Sequence, residues 1–369
     1  MNNSVKSHHK EPLIHITKRD AMPFWKSCLI RVVAIVFALI LCSVIIVVMT
    51  NYNPLQVFAA MYKGSFDTPR KMWKLFQSIA MLLCIALAVT PAFKMRFWNL
   101  GAEGQVLVGG LAAAACMFYA GDKLSNWLLI VIMLAASLIG GIIWAVIPAV
   151  FKAKWNTNES LFTLMMNYVA IQLVACAIMV WVPNGSSVMG VINRNSRAGW
   201  LPDLFGQKYL INIIVVALIT VLMFIYLKYS KHGYEISVVG ESENTARYIG
   251  INVKKVIIRT MTLSGAVCGL AGFLLVSGTN HSISTELAGG NGFTAIMVSW
   301  LAKFNPIMMV LTSFLISFLQ VGAGEIATNF RLNESVADIL TGIILFFIIG
   351  CEFFINYKIN IRSKHKEVA

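Results

Sequence analysis

The sequence predicts an all-α polytopic membrane protein with about ten transmembrane helices, one of them short or re-entrant. Hydrophobic residues make up 58% of the 369 residues, and the mean hydropathy is +0.75. A soluble domain usually holds about 45–50% apolar residues. Several apolar runs also reach or approach the roughly 20 residues that a helix needs to cross the hydrocarbon core. Composition and run length therefore both predict a membrane bundle.

The predicted spans follow the apolar runs in chain order. The first run carries a single charge, Arg31, and no small-residue cleavage motif follows it, so we expect a retained span rather than a removed signal. Segment 292–302 is too short to cross alone, and the glycine-rich stretch 278–292 before it is typical of a broken helix buried in protein. The ten spans are 29–50, 74–92, 100–120, 127–150, 160–183, 209–228, 256–277, 292–302, 306–322 and 336–356.

The distribution of positive charge predicts the orientation of these spans. An even number of crossings places both termini on one side, and 21 of the 30 Lys and Arg residues fall on that side. Since cytoplasmic loops are enriched in Lys and Arg, both termini are predicted to be cytoplasmic. Topology accounts for the net charge of +14, so no nucleic-acid partner is predicted. The predicted divisions are a polar cytoplasmic leader (1–28), a transmembrane domain (29–357) and a basic cytoplasmic tail (358–369).

Polar residues at the ends of apolar runs are the first candidates for a functional site. Asn99, Glu103 and Gln105 begin the third span, and Asn99 and Glu103 share a face if the helix starts that early. On the fifth span, Glu159, Thr163 and Asn167 follow each other at steps of four. Polar groups inside a membrane are costly and often mark solute pathways, but near span ends they also join helices. Both roles stay open for Asn99, Glu103, Gln105 and Asn167.

The sequence contains none of the common catalytic motifs. GxxxxGK[ST], HExxH and GxSxG are all absent. The seven cysteines are scattered without CxxC spacing, which favours packing over metal or redox chemistry. We therefore expect no catalytic residues, no metal and no cofactor in this chain. Any transport against a gradient requires an ion gradient or another subunit.

The loop 229–255 is a polar segment that interrupts the apolar pattern on the predicted cytoplasmic side. Ser242 is placed to cap a short helix that ends before Gly250. Glu241 and Glu243 are expected at its N-terminal end and Arg247 near its C-terminal end, where each charge suits the helix dipole. A helix this short has only marginal stability alone in water, and it therefore has to pack against another part of the protein or a partner. A linker resting on its own bundle and a helix docked in a partner's groove both satisfy this.

Four stretches resemble the permease subunits of ABC importers, in the family that serves nucleosides, ribose-type sugars and branched-chain amino acids. "FWNLGAEGQVLVGG" (97–110) resembles FNIGAEGQ, and "NESLFTLMMNYVA" (158–170) resembles NEVISTLMLNYIA. "GGNGFTAI" (289–296) resembles a GxGFxxI turn, and "ENTARY" (243–248) resembles the coupling helix. The first two are most similar to the nucleoside branch. Trp300 departs from the family, which usually has small residues there.

The resemblance implies a permease subunit of an ATP-driven importer, most similar to those that carry nucleosides, in a bacterial cell membrane. Its implied partners are cytoplasmic ATP-binding subunits that hold ATP–Mg, a second related permease, and an extracytoplasmic lipoprotein-type substrate-binding protein. The residues implied to contact the ATPase are Glu241, Asn244, Arg247 and Tyr248.

Three alternatives remain beside this interpretation. The same architecture carries ribose- or galactose-type sugars in other members of the resembled family. An ion-coupled secondary transporter would also lack a phosphate loop, although it should keep a carboxylate or cation-binding cluster at the midplane, and the acidic residues here lie mostly near span ends. An integral membrane enzyme is disfavoured by the missing catalytic motifs.

Overall fold

The computed structural model describes residues 14–19, 22–50, 52–121, 123–182, 189–331 and 334–361. Across these residues the chain forms thirteen α-helices, a π-helical turn and a two-stranded antiparallel ladder. The elements are β1 (Ile14–Lys18), α1 (Phe24–Thr50), α2 (Pro54–Phe66), α3 (Pro69–Lys94), α4 (Ala102–Ala120), α5 (Asn126–Trp155), α6 (Glu159–Trp181), α7 (Leu210–Tyr229), α8 (Lys231–Glu241), α9 (Glu243–Tyr248), α10 (Val253–Leu275), the π turn (Val276–Asn280), α11 (Asn291–Leu301), α12 (Pro306–Asn329), α13 (Glu334–Asn356) and β2 (Tyr357–Ile361).

The predicted fold class is confirmed, since each of the ten predicted spans has a matching helix. Among the described residues, eight helices are long and apolar enough to cross a membrane. The two remaining spans are α13, with an apolar stretch at Ile339–Ile355, and the 11-residue α11. Helix α2 was not predicted, because its apolar run is short and interrupted by Lys63.

The larger of two compact units covers Ser65–Val321 and is built around helices that approach each other very closely. Helices α4, α5 and α10 meet through glycines: Gly109 lies against Gly269, and Gly141 against Gly265. A Cβ atom on Gly269 would come within 2.2 Å of the Ser137 carbonyl oxygen. Small residues on the third predicted span are therefore explained by close backbone packing, which stabilises helix pairs in lipid.

The crossing that is broken by an irregular segment, residues 276–301, lies beside α4 in the same unit. After the π turn the chain reverses at His281, whose φ is +51°. It then passes Gly110, where an added Cβ would meet the Leu287 side chain, and reaches the start of α4, where Glu103 contacts Gly292. From Gly110 to Glu103 is about 10 Å along a helix. Residues 281–290 thus run alongside α4 without forming a helix or strand, and α11 begins only at Asn291. This confirms the predicted short span.

The smaller unit comprises residues 1–64 and 322–369. Helices α1 and α13 pack together, and the Arg31 Nη2 atom lies 2.5 Å from the Glu352 Oε1 atom. Strands β1 and β2 pair antiparallel, from Ile14 opposite Ile361 to Lys18 opposite Tyr357. This ladder brings the two described chain ends together, as an even number of crossings requires. That these ends are cytoplasmic stays a prediction.

The ends of the chain differ from the predicted divisions in two respects. Helix α1 begins at Phe24, so the last residues of the predicted leader 1–28 are already helical. The strands β1 and β2, in the leader and the tail, were not predicted at all. Residues 1–13 of the predicted leader and residues 362–369 of the predicted tail lie outside the described residues.

Candidate functional site

The segment between α7 and α10 contains two short helices rather than one. Ser230 caps α8 by accepting a hydrogen bond from the Gly233 N–H at 3.0 Å. Ser242 caps α9 in the same way, accepting from the Thr245 N–H at 3.3 Å. Gly250 follows α9 with a φ of +83°, and its N–H donates to the Arg247 carbonyl. The predicted start at Ser242 and stop at Gly250 are therefore confirmed.

Glu241 directly precedes the cap Ser242 and so lies next to the N-terminal end of α9, as predicted. It is also the last residue of α8, where the helix dipole does not favour a carboxylate. Helix α8 itself was not predicted, because two glycines and several β-branched residues lower its intrinsic propensity. Tertiary packing forms it instead: Gly240 lies so close to the α3 terminus that an added Cβ would clash with the Lys94 carbonyl oxygen.

Helix α9 has one small buried face and a large exposed face. Ala246 is fully buried, whereas the neighbouring apolar residue Ile249 is 55% exposed and does not extend the buried face. Glu241, Asn244, Arg247 and Tyr248 are all exposed, and Tyr248 is 92% exposed. The Glu243–Arg247 ion pair forms at 3.4 Å, but both side chains are mostly in solvent. The exposed face of α9 is thus available to a partner, although contact with an ATPase stays a prediction.

An ion pair connects α8 to the central helix α10. The Arg259 Nη2 atom donates to the Glu235 Oε2 atom at 2.7 Å, and His232 Nδ1 lies 3.5 Å from the same oxygen. The hydrogen bond from Arg259 lowers the pKa of the Glu235 carboxyl below its ordinary value. Helix α8 is therefore fixed both to α10, through this pair, and to α3, through Gly240.

Asn99 lies in a turn and α4 begins only at Ala102, so the condition under which Asn99 and Glu103 would share a helix face is not met. The Asn99 Oδ1 atom accepts from the Gly101 N–H at 3.1 Å. The same oxygen accepts from Gln105 Nε2 at 3.1 Å, and Asn99 Nδ2 donates to Ser264 Oγ at 3.3 Å. Asn99 thereby joins the irregular turn to α4 and α10.

Asn167 and Thr163 hold the same turn from α6. Asn167 Nδ2 donates to the Leu100 carbonyl at 2.8 Å, and its Oδ1 accepts from the Gly104 N–H at 2.9 Å. The Thr163 hydroxyl accepts from the Leu100 N–H at 3.1 Å. Asn99, Gln105 and Asn167 are all buried, and their amides bond within the bundle in this conformation. Their place in a solute path stays a prediction.

Glu103 binds the start of the half-helix. Its two carboxylate oxygens accept from the backbone N–H groups of Gly290 and Gly292, at 2.8 and 2.7 Å. These N–H groups lie at the positive end of α11, where a carboxylate is stabilising. Gly290 and Phe293 are exposed on the bundle surface. Among the four predicted path residues, Glu103 is therefore the one that meets an exposed part of the broken crossing.

A cavity of about 570 Å³ lies beside α8 and was not predicted. Trp300, the residue that departs from the resembled family, stacks on Trp98 with ring centroids 5.8 Å apart. The Phe93 ring meets both indoles edge-on. Sequence reasoning singled out Trp300, but not its partner, because the two residues lie on different elements. The cavity lining is Phe93, Lys94, Arg96, Trp98, Ser237, Gly240, Glu241, Trp300 and Phe304.

These features together define a class of protein. A multi-pass helical bundle with one crossing broken at glycines is typical of membrane transport proteins. The chain belongs to the family described as the permease component of the branched-chain amino acid transport system, which matches residues 72–349. The resemblance to ABC importer permeases is thereby confirmed.

Three relatives extend this match over nearly the whole chain. The chain is 29% identical to the guanosine ABC transporter permease protein NupP of Bacillus subtilis over 324 residues, which are 87% of this chain and 92% of that protein. It is 26% identical to the nucleoside permease NupB of Lactococcus lactis over 335 residues, covering 88% and 91%. It is 25% identical to the glucose permease TsgB13 of Haloferax volcanii over 359 residues, covering 94% of both proteins.

Proposed function

We propose that this permease subunit of an ABC importer carries nucleosides into the cell. The observation that supports this choice is the similarity to the guanosine and nucleoside permeases over most of the chain. The GAEGQ and MNY stretches, which are most similar to the nucleoside branch, point the same way. The comparably similar glucose permease makes a sugar the second choice.

The proposed complex contains two cytoplasmic ATP-binding subunits, a second related permease and an external lipoprotein-type binding protein. ATP–Mg is held and hydrolysed by the partner subunits, and this chain has no catalytic role. The exposed face of α9, with Asn244, Arg247 and Tyr248, supports an ATPase-contact role for that helix. Glu241, at the adjoining end of α8, belongs to the same proposed contact surface.

The proposed transmission runs from α9 through α8 to the spans. When the ATPase subunits close on ATP, movement of α9 is passed to α10 by the Glu235–Arg259 ion pair and to α3 by the contact at Gly240. Helix α11 follows an irregular segment and Glu103 of α4 binds its start, so α11 can move together with α4 without breaking a continuous helix. Asn99, Gln105 and Asn167 then keep the turn before α4 in place.

The proposed orientation has both termini in the cytoplasm of a bacterium. It keeps the leader 1–28 and the tail 358–369 on the anionic inner face of the membrane, where their basic residues are favourable. No contact with nucleic acid is proposed.

The contact role of α9 is tested by the double substitution Arg247→Ala and Tyr248→Ala. Uptake of labelled guanosine by cells that depend on this transporter should be lost, because the exposed face no longer receives movement from the ATPase. Co-purification of the two permeases should be unchanged, because neither side chain is buried. Undiminished uptake by this variant would contradict the assignment.

The energy source separates the proposal from an ion-coupled transporter. Uptake should persist when an ionophore collapses the ion gradients while cellular ATP is maintained. If uptake stops under these conditions, the secondary-transporter alternative is the better one. A competition assay separates the two solute classes. Unlabelled nucleosides should reduce the uptake of labelled guanosine, whereas unlabelled ribose, galactose and glucose should not.

A further inference from the structure

A second cavity, on the predicted outer side, has a polar lining and is unrelated to the coupling segment. Its volume is about 450 Å³, and it lies between the loop before α7 and the π turn after α10. Small-molecule sites in proteins commonly measure about 300–1,000 Å³. The lining residues are Asn126, Val191, Arg197, Trp200, Leu201, Pro202, Asp203, Lys208, Tyr209, Gly278, Thr279 and His281.

The loop that covers this cavity is held by many hydrogen bonds although it has little regular structure. The Leu201 N–H donates to the Ser277 carbonyl at 3.0 Å, and the Ser277 hydroxyl donates to the Gly199 carbonyl at 2.5 Å. The Gly199 N–H donates to Asn126 Oδ1 at 2.7 Å, and Ile192 N–H to the His281 carbonyl at 2.8 Å. The walls are therefore fixed in advance, which lowers the ordering cost of binding.

The aromatic wall is formed by a stacked pair. The Trp200 and His281 rings are 3.8 Å apart and within 8° of parallel. Trp200 Nε1 also donates to the Ile192 carbonyl at 3.1 Å, which fixes the indole. His281 has a left-handed backbone conformation because it ends the π turn, and its N–H donates to the Val276 carbonyl. The Tyr209 ring adds a second aromatic surface.

Behind the floor of the cavity lie two buried amides with unused acceptors. Gln77 Nε2 and Asn212 Nδ2 both donate to the Thr279 hydroxyl oxygen, at 2.5 and 3.3 Å. Among the described residues, the carbonyl oxygens of these two amides have no hydrogen-bond donor, although Gln77 is 4% and Asn212 is 1% exposed. Buried side-chain oxygens without a donor are uncommon in native proteins. These two oxygens are enclosed behind Thr279, and the charged groups that line the cavity itself are the Asp203 carboxylate and the side chains of Arg197 and Lys208.

We propose that this outer cavity is a solute-binding site of the permease itself, for a solute that combines a planar ring with hydroxyl groups, as a nucleoside does. A nucleoside supplies hydroxyl donors for the Asp203 carboxylate, and its base suits the Tyr209 ring, since Trp200 is already stacked on His281. The polar lining does not suit a lipid tail. The choice of solute class and of the outer side rests on the proposed function and orientation, whereas the cavity rests on its own geometry.

The test is direct binding of guanosine to the full chain in lipid nanodiscs, measured by saturation-transfer-difference NMR, which detects weak complexes. We expect transfer to guanosine for the wild type and about a tenfold rise in Kd for Asp203→Ala, because a charge-assisted hydrogen bond is lost. Tyr209→Leu should weaken binding independently, through the lost ring. Lys123→Ala is the matched control, since Lys123 is exposed on the same predicted side and outside the cavity lining. Asp203→Asn replaces Asp203→Ala if the latter does not assemble.

Each outcome decides the proposal. Weakened binding in both cavity variants, with normal binding in the control, supports it. No transfer to guanosine in the wild type, while the complete transporter takes up guanosine, overturns the site but leaves the proposed function intact. Unchanged binding in Asp203→Ala and Tyr209→Leu also overturns the site. Transfer to glucose and not to guanosine, lost in the same variants, overturns the nucleoside class.

Discussion

Two ion pairs on the predicted cytoplasmic side have nearly the same geometry and very different positions in the fold. Glu235 and Arg259 are 2.7 Å apart, and Lys152 and Glu159 are 2.9 Å apart. Their side chains are similarly buried, at 15% and 27% exposure in the first pair and 21% and 14% in the second. The first pair connects α8 to α10, whereas the second closes the short turn between consecutive helices α5 and α6.

The two ion pairs allow the contribution of a contact to stability to be separated from its role in transmitting movement. Because distance and burial match, the two pairs should contribute similar free energies of unfolding. Only the first lies between the proposed partner-binding helix and a central span. A difference between them in transport, with no difference in stability, therefore isolates transmission from simple bracing.

The largest effect is expected when the Glu235–Arg259 pair is broken. Glu235→Ala leaves Arg259 partly buried without its carboxylate, so uptake per ATP hydrolysed should fall by about tenfold, equivalent to about 1.4 kcal/mol of lost coupling. The ratio is measured with the complete transporter in proteoliposomes. The exchange Glu235→Arg with Arg259→Glu should restore part of it. If uptake per ATP hydrolysed is unchanged in Glu235→Ala, the pair does not transmit movement from α9 to α10.

Breaking the second pair should affect stability alone. Lys152→Ala is expected to lower the free energy of unfolding by about 1 kcal/mol or less, since the pair is partly solvated. Thermal unfolding in detergent measures this, and uptake per ATP should equal that of the wild type. A loss of coupling as large as that of Glu235→Ala would show that any break at this face uncouples the transporter, and the comparison would fail.

Acid pH should weaken the Glu235–Arg259 pair, because it protonates Glu235. Its pKa is lowered from the ordinary value of 4.5, first by the hydrogen bond from Arg259. The pair's contribution to stability is thus fully present above about pH 4.5 and is lost as the pH falls through the lower folded-state pKa. In Glu235→Gln the thermal midpoint should depend less on pH below 4.5 than in the wild type. Parallel pH profiles would contradict the expected linkage.

The smallest effect is expected at the exposed pair on α9. Glu243→Gln removes the 3.4 Å contact with Arg247, but both side chains are largely in solvent. Stability should change by less than about 0.5 kcal/mol. Uptake should stay near the wild-type rate, because Arg247 remains available to the partner. A strong loss of uptake would mean that Glu243 itself belongs to the contact surface.

Local signals predicted much of the fold and part of the site. Apolar runs located the spans, and the cap at Ser242 and the stop at Gly250 located α9, because these signals act within a few residues. A helical position for Asn99 was not found, and the reason is also local. Its side chain binds the Gly101 N–H and so competes with helix formation, which spacing alone does not reveal.

Long-range contacts account for the features that were missed. Helix α8 exists because glycines pack against other elements: Gly233 against the end of α7 and Gly240 against the end of α3. The outer cavity combines Asn126, Trp200 and His281 from three distant segments. No periodicity in the sequence connects such residues, so the burial pattern of the folded chain is needed to find them.

The pairing of β1 with β2 has a consequence for how the protein is made. Thr17 donates to the Lys358 carbonyl across 341 positions of sequence, and Arg31 finds Glu352 across 321. During synthesis the first span therefore enters the membrane long before its partner strand and helix exist. Arg31 cannot form its pair with Glu352 until α13 has been synthesised. The smaller unit can therefore close only after α13 has been made, and a product truncated before α13 would leave α1 without the helix that packs on it.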